Sequence, residues 1–103
     1  MKGDLPGARD AINNVRRRAH ASELTDDSQM TLDFLLDERI RELVGEESRR
    51  FTLCRTGKLV ERTRKYNEES GDAIRDYHVL WPIPQSMIDS NVGAEFPQNE
   101  GYK

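Results

Sequence analysis

Apolar residues recur at helical steps along much of this chain, and polar runs separate them. Leu5, Ala8, Ile12, Val15 and Ala19 follow three- and four-residue intervals, which predicts a first helix over residues 5–20. Asp4 is placed to cap it, and Pro6 and Gly7 fit only at its start. Residues 21–30 are polar (Ser22, Thr25, Asp26, Asp27, Ser28) and read as a loop leading to the next helix. The clearest helix spans 31–46, where Leu32, Leu35, Leu36, Ile40, Leu43 and Val44 make one stripe. Thr31 can cap it, Asp33 suits the dipole of the first turn, and Asp37 can pair with Arg41 for about 0.3 kcal/mol. Gly45 marks an end or kink, although Glu46, Glu47 and Arg50 are good helix formers that can carry the helix on.

Period-2 and helical patterns compete over 48–56, around Phe51 and Leu53, and a short helix is the better fit. Helical spacing resumes over 57–66 with Leu59, Val60, Thr63 and Tyr66. Residues 67–76 form a polar loop around Gly71. The segment His78–Pro84 is expected to be extended, because each proline biases its predecessor away from the helical region. A short helix at Gln85–Ile88, closed near Asn91, and an irregular tail complete the chain. There is neither an internal repeat nor a low-complexity segment.

Composition narrows the class. The 103 residues are 35% apolar and 34% charged, lean for a packed domain. The helical clustering argues against disorder and suggests apolar faces that pack on further protein. The net charge of −3 argues against a dedicated nucleic-acid binder. Arg16, Arg17 and Arg18 point in different directions on a helix and read as a solvated basic helix end. Cys54 is the only cysteine; its apolar neighbours suggest a buried, inert thiol, and it has no partner for a metal site. No run approaches the roughly 20 apolar residues of a membrane-spanning helix, and the first residues lack a signal-peptide core.

Candidate chemistry is sparse. Glu38 and Glu42 lie one helical turn apart and could act as an acid pair, but nearby arginines make a structural ion network the better reading. His20 and His78 lack metal-ligand spacing. No nucleophile elbow, Walker loop or dinucleotide fingerprint is present. Trp81 and Tyr77 are the candidate ligand-contacting residues, since an aromatic ring can stack on an apolar sugar face, although Trp81, between Leu80 and Pro82, reads more naturally as a packing anchor.

Four stretches together resemble the carboxy-terminal part of the SusD/RagB family. Ala11–Ala19 (AINNVRRRA) is similar to that family's "A…IN.VR.RAG" helix. Asp37–Leu43 (DERIREL) followed by Gly45–Lys58 (GEESRRFTLCRTGK) is similar to "ERR.EL" and "EGhRwfDLvRtGk". Leu80–Pro84 (LWPIP) and then Asn91 with Gln98–Tyr102 (QNEGY) match "LlPIP" and the closing "N…QNpGY". The chain departs from the pattern in places. His20 stands where the family usually has glycine, so a different helix end is expected. Thr52 replaces an acid, Ser48 and Arg49 blur the "GhR" step, Met87 replaces an acid and Glu100 a proline.

The resemblance implies a mainly α, irregular helical carboxy-terminal domain with long loops and an extended proline-rich closing segment. It implies that residues 1–103 form a single such domain of a longer protein. It further implies an outer-membrane lipoprotein on the outer face of the membrane, anchored by a lipid outside this stretch. Such a protein would bind an oligosaccharide or other nutrient for a SusC-type TonB-dependent transporter, with no catalysis, cofactor or metal. A scaffold or transporter-contacting domain without its own ligand is the alternative. Ile40 and Leu43 are expected to face inward, and a carboxylate–guanidinium network at the edge formed by Glu38, Arg39 and Glu42 is expected to tie this helix to Arg55 or to the 82–84 segment. Exposed apolar faces imply that the chain self-associates.

Overall fold

A computed structural model describes residues 3–102 of the chain. The fold is mainly α, with five α-helices and no strand among the described residues. It comprises two compact units, one ending at Glu47 and the other beginning at Ser48.

In the first unit, α1 runs from Leu5 to Arg18. The Asp4 carboxylate accepts the Gly7 amide at 2.9 Å, and Pro6 sits in the first turn where its missing N–H costs nothing. His20 stands at the helix end, where the family pattern has glycine. His20 adopts φ +54°, and a complete left-handed cap closes the helix. The Ala21 amide bonds the Arg16 carbonyl at 2.8 Å and the His20 amide bonds that of Arg17 at 3.1 Å, the double bond of a Schellman motif.

The chain then returns along α1, and the Asn13 side chain holds it there. Asn13 Nδ2 donates to the Leu24 carbonyl at 2.9 Å, and its Oδ1 accepts the Leu24 amide at 2.8 Å. Leu24 and Met30 are buried beside it. Between them lies a 3₁₀ turn, Asp27–Gln29, capped by Asp26 and by the Gln29 side chain. The Ser28 hydroxyl and amide hold the Asp26 carboxyl below its usual range.

Helix α2 spans Leu32–Glu42, with the Thr31 hydroxyl accepting the Phe34 amide at 3.0 Å. It stops four residues short of the expected end. The Glu46 and Glu47 amides turn back onto the Leu43 carbonyl, and Gly45 takes φ +78°. Leu36 is the most deeply buried side chain, at 1% exposure. The inward assignment of Ile40 needs correcting: it is 48% exposed, whereas Glu38 is only 7% exposed. Glu38 is held there by the ion pair described below, and Ile40 lies outside the buried side of the helix.

In the second unit, α3 (Arg49–Arg55) and α4 (Leu59–Tyr66) are joined through Gly57 at φ +68°. Leu53, Leu59 and Ile74 form its apolar centre, joined by buried Thr52 and Arg62. Cys54 is half-buried rather than buried, with its thiol 3.5 Å from the Val79 carbonyl. The loop after α4 turns on Asn67, whose Oδ1 accepts the Glu69 and Ser70 amides. Gly71 packs so closely that a Cβ would lie 2.8 Å from the Asn67 carbonyl. His78 and Val79 belong to a 3₁₀ turn, Asp76–Val79, so the extended segment starts at Leu80, two residues later than expected. That turn forms because the His78 ring nitrogen accepts the Arg75 amide at 2.8 Å. Helix α5 is the short Gln85–Ser90, closed at Asn91.

Candidate functional site

The acidic pair of α2 is engaged by arginines of α1. Arg16 Nη1 reaches both Glu38 oxygens, at 2.8 and 2.7 Å, and Arg16 Nε donates to the Ser22 carbonyl at 2.6 Å. Arg41 adds a third contact to Glu38 at 3.0 Å. Glu42 pairs with Arg18, and Arg17 with Glu23 and Asn14. The basic triplet is therefore not simply a solvated helix end, since each member leaves α1 in its own direction to its own acceptor. The partner of Glu38 is Arg16, not Arg55 or the 82–84 segment. Arg39 goes to Glu47 at 2.8 Å. Two carboxylates held by separate guanidinium groups form a structural ion network.

The two candidate aromatic residues line different grooves. Trp81 borders a groove of about 410 Å³ with Arg50, Ile74, His78, Pro82 and Tyr102. Tyr77 borders a different groove of about 580 Å³ with Val79, Leu80, Glu100 and Gly101. The structure thus does not bring Trp81 and Tyr77 into one site. Trp81 is 63% exposed, so it is no packing anchor within this unit. Its ring carries the Arg50 guanidinium at 4.1 Å, a cation–π stack. Arg50 in turn donates to the His78 and Leu80 carbonyls, fixing α3 to the start of the segment. Tyr77 packs instead against the rings of His78, at 4.3 Å, and Tyr102, at 5.0 Å.

The other side of the closing segment is held by residues 98–102. Gln98 Oε1 accepts the Ile83 amide at 2.7 Å, and Gln98 Nε2 donates to the Ile83 carbonyl at 2.8 Å. Asn99 Nδ2 donates to the Trp81 carbonyl at 2.7 Å and the Tyr102 hydroxyl to that of Leu80 at 2.9 Å. Proline cannot offer an amide, so a segment with two of them cannot join a full ladder, and side-chain amides satisfy what remains. In the sequence Asn13, Gln98 and Asn99 stand out only through their place within the four motifs, while Arg16 reads as part of a basic run and Arg50 as a helix former, with nothing local that points to these contacts. Among the described residues no group of three His, Cys, Asp or Glu side chains is disposed to hold a metal.

The sequence model of the SusD family matches residues 1–102. The chain belongs to the SusD family. No curated protein and no solved structure matches it. The SusD motifs acquire a physical meaning here because they work in pairs. The first meets the second through Arg16 and Glu38, and the third meets the fourth through Gln98 and Asn99. SusD proteins are binding proteins of glycan and nutrient uptake rather than enzymes. No helix among the described residues is long and apolar enough to cross a membrane.

Proposed function

We propose that this chain is a carboxy-terminal domain of an outer-membrane lipoprotein that captures an oligosaccharide or similar nutrient for a SusC-type TonB-dependent transporter. The observation that carries this reading is the SusD family match over residues 1–102. In this reading the protein sits on the outer face of the membrane, held by a lipid anchor outside this stretch, and delivers its ligand unchanged. Trp81 and Tyr77 are the aromatic residues available for ligand contact, each from its own groove.

A second reading is favoured by a specific observation: the distinctive motif residues Asn13, Arg16, Glu38, Arg50, Gln98 and Asn99 are all engaged in bonds within their own unit. Such residues build a scaffold. In this alternative the domain supports the ligand-binding part or contacts the transporter and binds no sugar itself. Calorimetric titration of oligosaccharides into the intact lipoprotein and into this chain separates the two. Binding by both supports capture by this domain, and binding by the intact protein alone supports the scaffold. Absence of binding by the intact protein to any glycan on which its host grows would overturn the capture reading.

A further inference from the structure

The two grooves share one wall. Residues 98–102 present Glu100 and Gly101 to the groove of Tyr77 and Tyr102 to the groove of Trp81. This wall is fastened to the closing segment through side chains: Gln98 to Ile83, Asn99 to Trp81 and Tyr102 to Leu80. Its own backbone contributes one short turn, the Tyr102 amide to the Asn99 carbonyl at 3.2 Å. At Gly101 it packs closely against the Tyr77 side chain. Gly101 takes φ +88°, and a Cβ there would lie 2.3 Å from Tyr77 Cγ. The Tyr102 ring then meets the same Tyr77 ring edge-on at 5.0 Å.

We infer that residues 98–102 form a clasp that couples the two grooves, so that displacing it from Tyr77 releases the main chain of the Trp81 wall. The coupling follows from connectivity and stiffness. Gly101 lies two or three residues from Gln98 and Asn99, and the turn at Asn99–Tyr102 makes the stretch move as one piece. A push at Gly101 is therefore felt at the bonds to Trp81 and Ile83, which are side-chain bonds in partly exposed surroundings and open without unfolding a helix. The opposite fastening, from Arg50 to the His78 and Leu80 carbonyls, holds the start of the segment while the later residues come free. A ligand that enters the Tyr77 groove against Gly101 would thereby alter the groove at Trp81. This inference does not depend on the nutrient-binding reading, because it concerns how the closing segment is held.

Amide hydrogen exchange at Ile83, followed by NMR on the 103-residue chain, tests it. Gln98→Ala removes the acceptor of that amide and is expected to speed its exchange about fivefold, as for one ordinary hydrogen bond. Gly101→Ala touches neither Ile83 nor Gln98; it acts on the middle of the clasp, through the Tyr77 ring and through the strain of a β-carbon at φ +88°. Coupling requires it to speed Ile83 exchange as well, with the far-ultraviolet dichroism of the helices retained. Tyr102→Phe, which removes a single hydroxyl and preserves packing, is expected to act in the same direction and serves if the alanine variants lose helix. An Ile83 amide that exchanges at the parent rate in Gly101→Ala overturns the coupling, even if Gln98→Ala accelerates it. If Ile83 exchange is unchanged in Gln98→Ala, the clasp itself is overturned.

Discussion

Two side chains show how much single residues decide here. His20 occupies a left-handed position that a β-carbon disfavours by about 1 kcal/mol or more, yet both bonds of the helix cap form around it. His20→Gly is expected to stabilise the fold by about 1 kcal/mol, raising the melting temperature by about 4 °C in a calorimetric scan. A lower melting temperature would mean that the histidine ring contributes a contact worth more than the strain. Asn13 is 5% exposed and satisfies both main-chain groups of Leu24. Asn13→Ala leaves a buried donor and a buried acceptor unpaired and should cost about 2–3 kcal/mol in urea denaturation. A near-neutral result would show that water replaces the amide.

Among elements, α1 and α2 are joined by ion pairs of unequal worth. The Arg16 and Glu38 side chains are 16% and 10% exposed, whereas Arg18 is 70% exposed. Glu38→Gln is expected to destabilise by about 2 kcal/mol, because it leaves a part-buried guanidinium short of its countercharge. Glu42→Gln should cost under about 0.5 kcal/mol, as exposed pairs do. Chemical denaturation of the two variants side by side checks the ranking, and equal effects would refute it. The helices, the Asp4 and Thr31 caps and the loops at 21–30 and 67–76 were legible because spacing and capping residues are local signals. What joins the elements was not. Glu38 is one of several charged residues on α2, and nothing local to it says that its partner lies 22 positions earlier. The extended segment begins later than His78 for a similar reason: the proline bias reaches only Trp81 and Ile83, and the Arg75 amide, donating to the His78 ring, closes a 3₁₀ turn before them.

At the scale of the whole molecule, the apolar surface left in solvent is large for a chain of 103 residues. Val44, Phe51, Trp81 and Val92 are 75%, 66%, 63% and 97% exposed. Surfaces of this kind are normally covered by more protein, and in isolation they promote association. Light scattering should show dimers or larger species at millimolar concentration, and Phe51→Ser should weaken them. A strict monomer throughout would count against the faces being adhesive. The SusD motifs supply fastenings inside each unit and do not cover these faces.

The stack of Arg50 on Trp81 has a practical corollary. Trp81 is the only tryptophan of the chain, and Tyr66, Tyr77 and Tyr102 are its only tyrosines, so every strong near-ultraviolet chromophore lies in the unit that begins at Ser48. Intrinsic fluorescence therefore watches one half of the polypeptide directly, through an indole capped by a cation. The half bearing α1 and α2 has no Trp or Tyr and a single Phe, Phe34, and is optically almost silent. A melt followed by emission and another followed by helical dichroism would thus sample different parts of the same molecule, and any gap between the two midpoints would measure how independently its halves come apart.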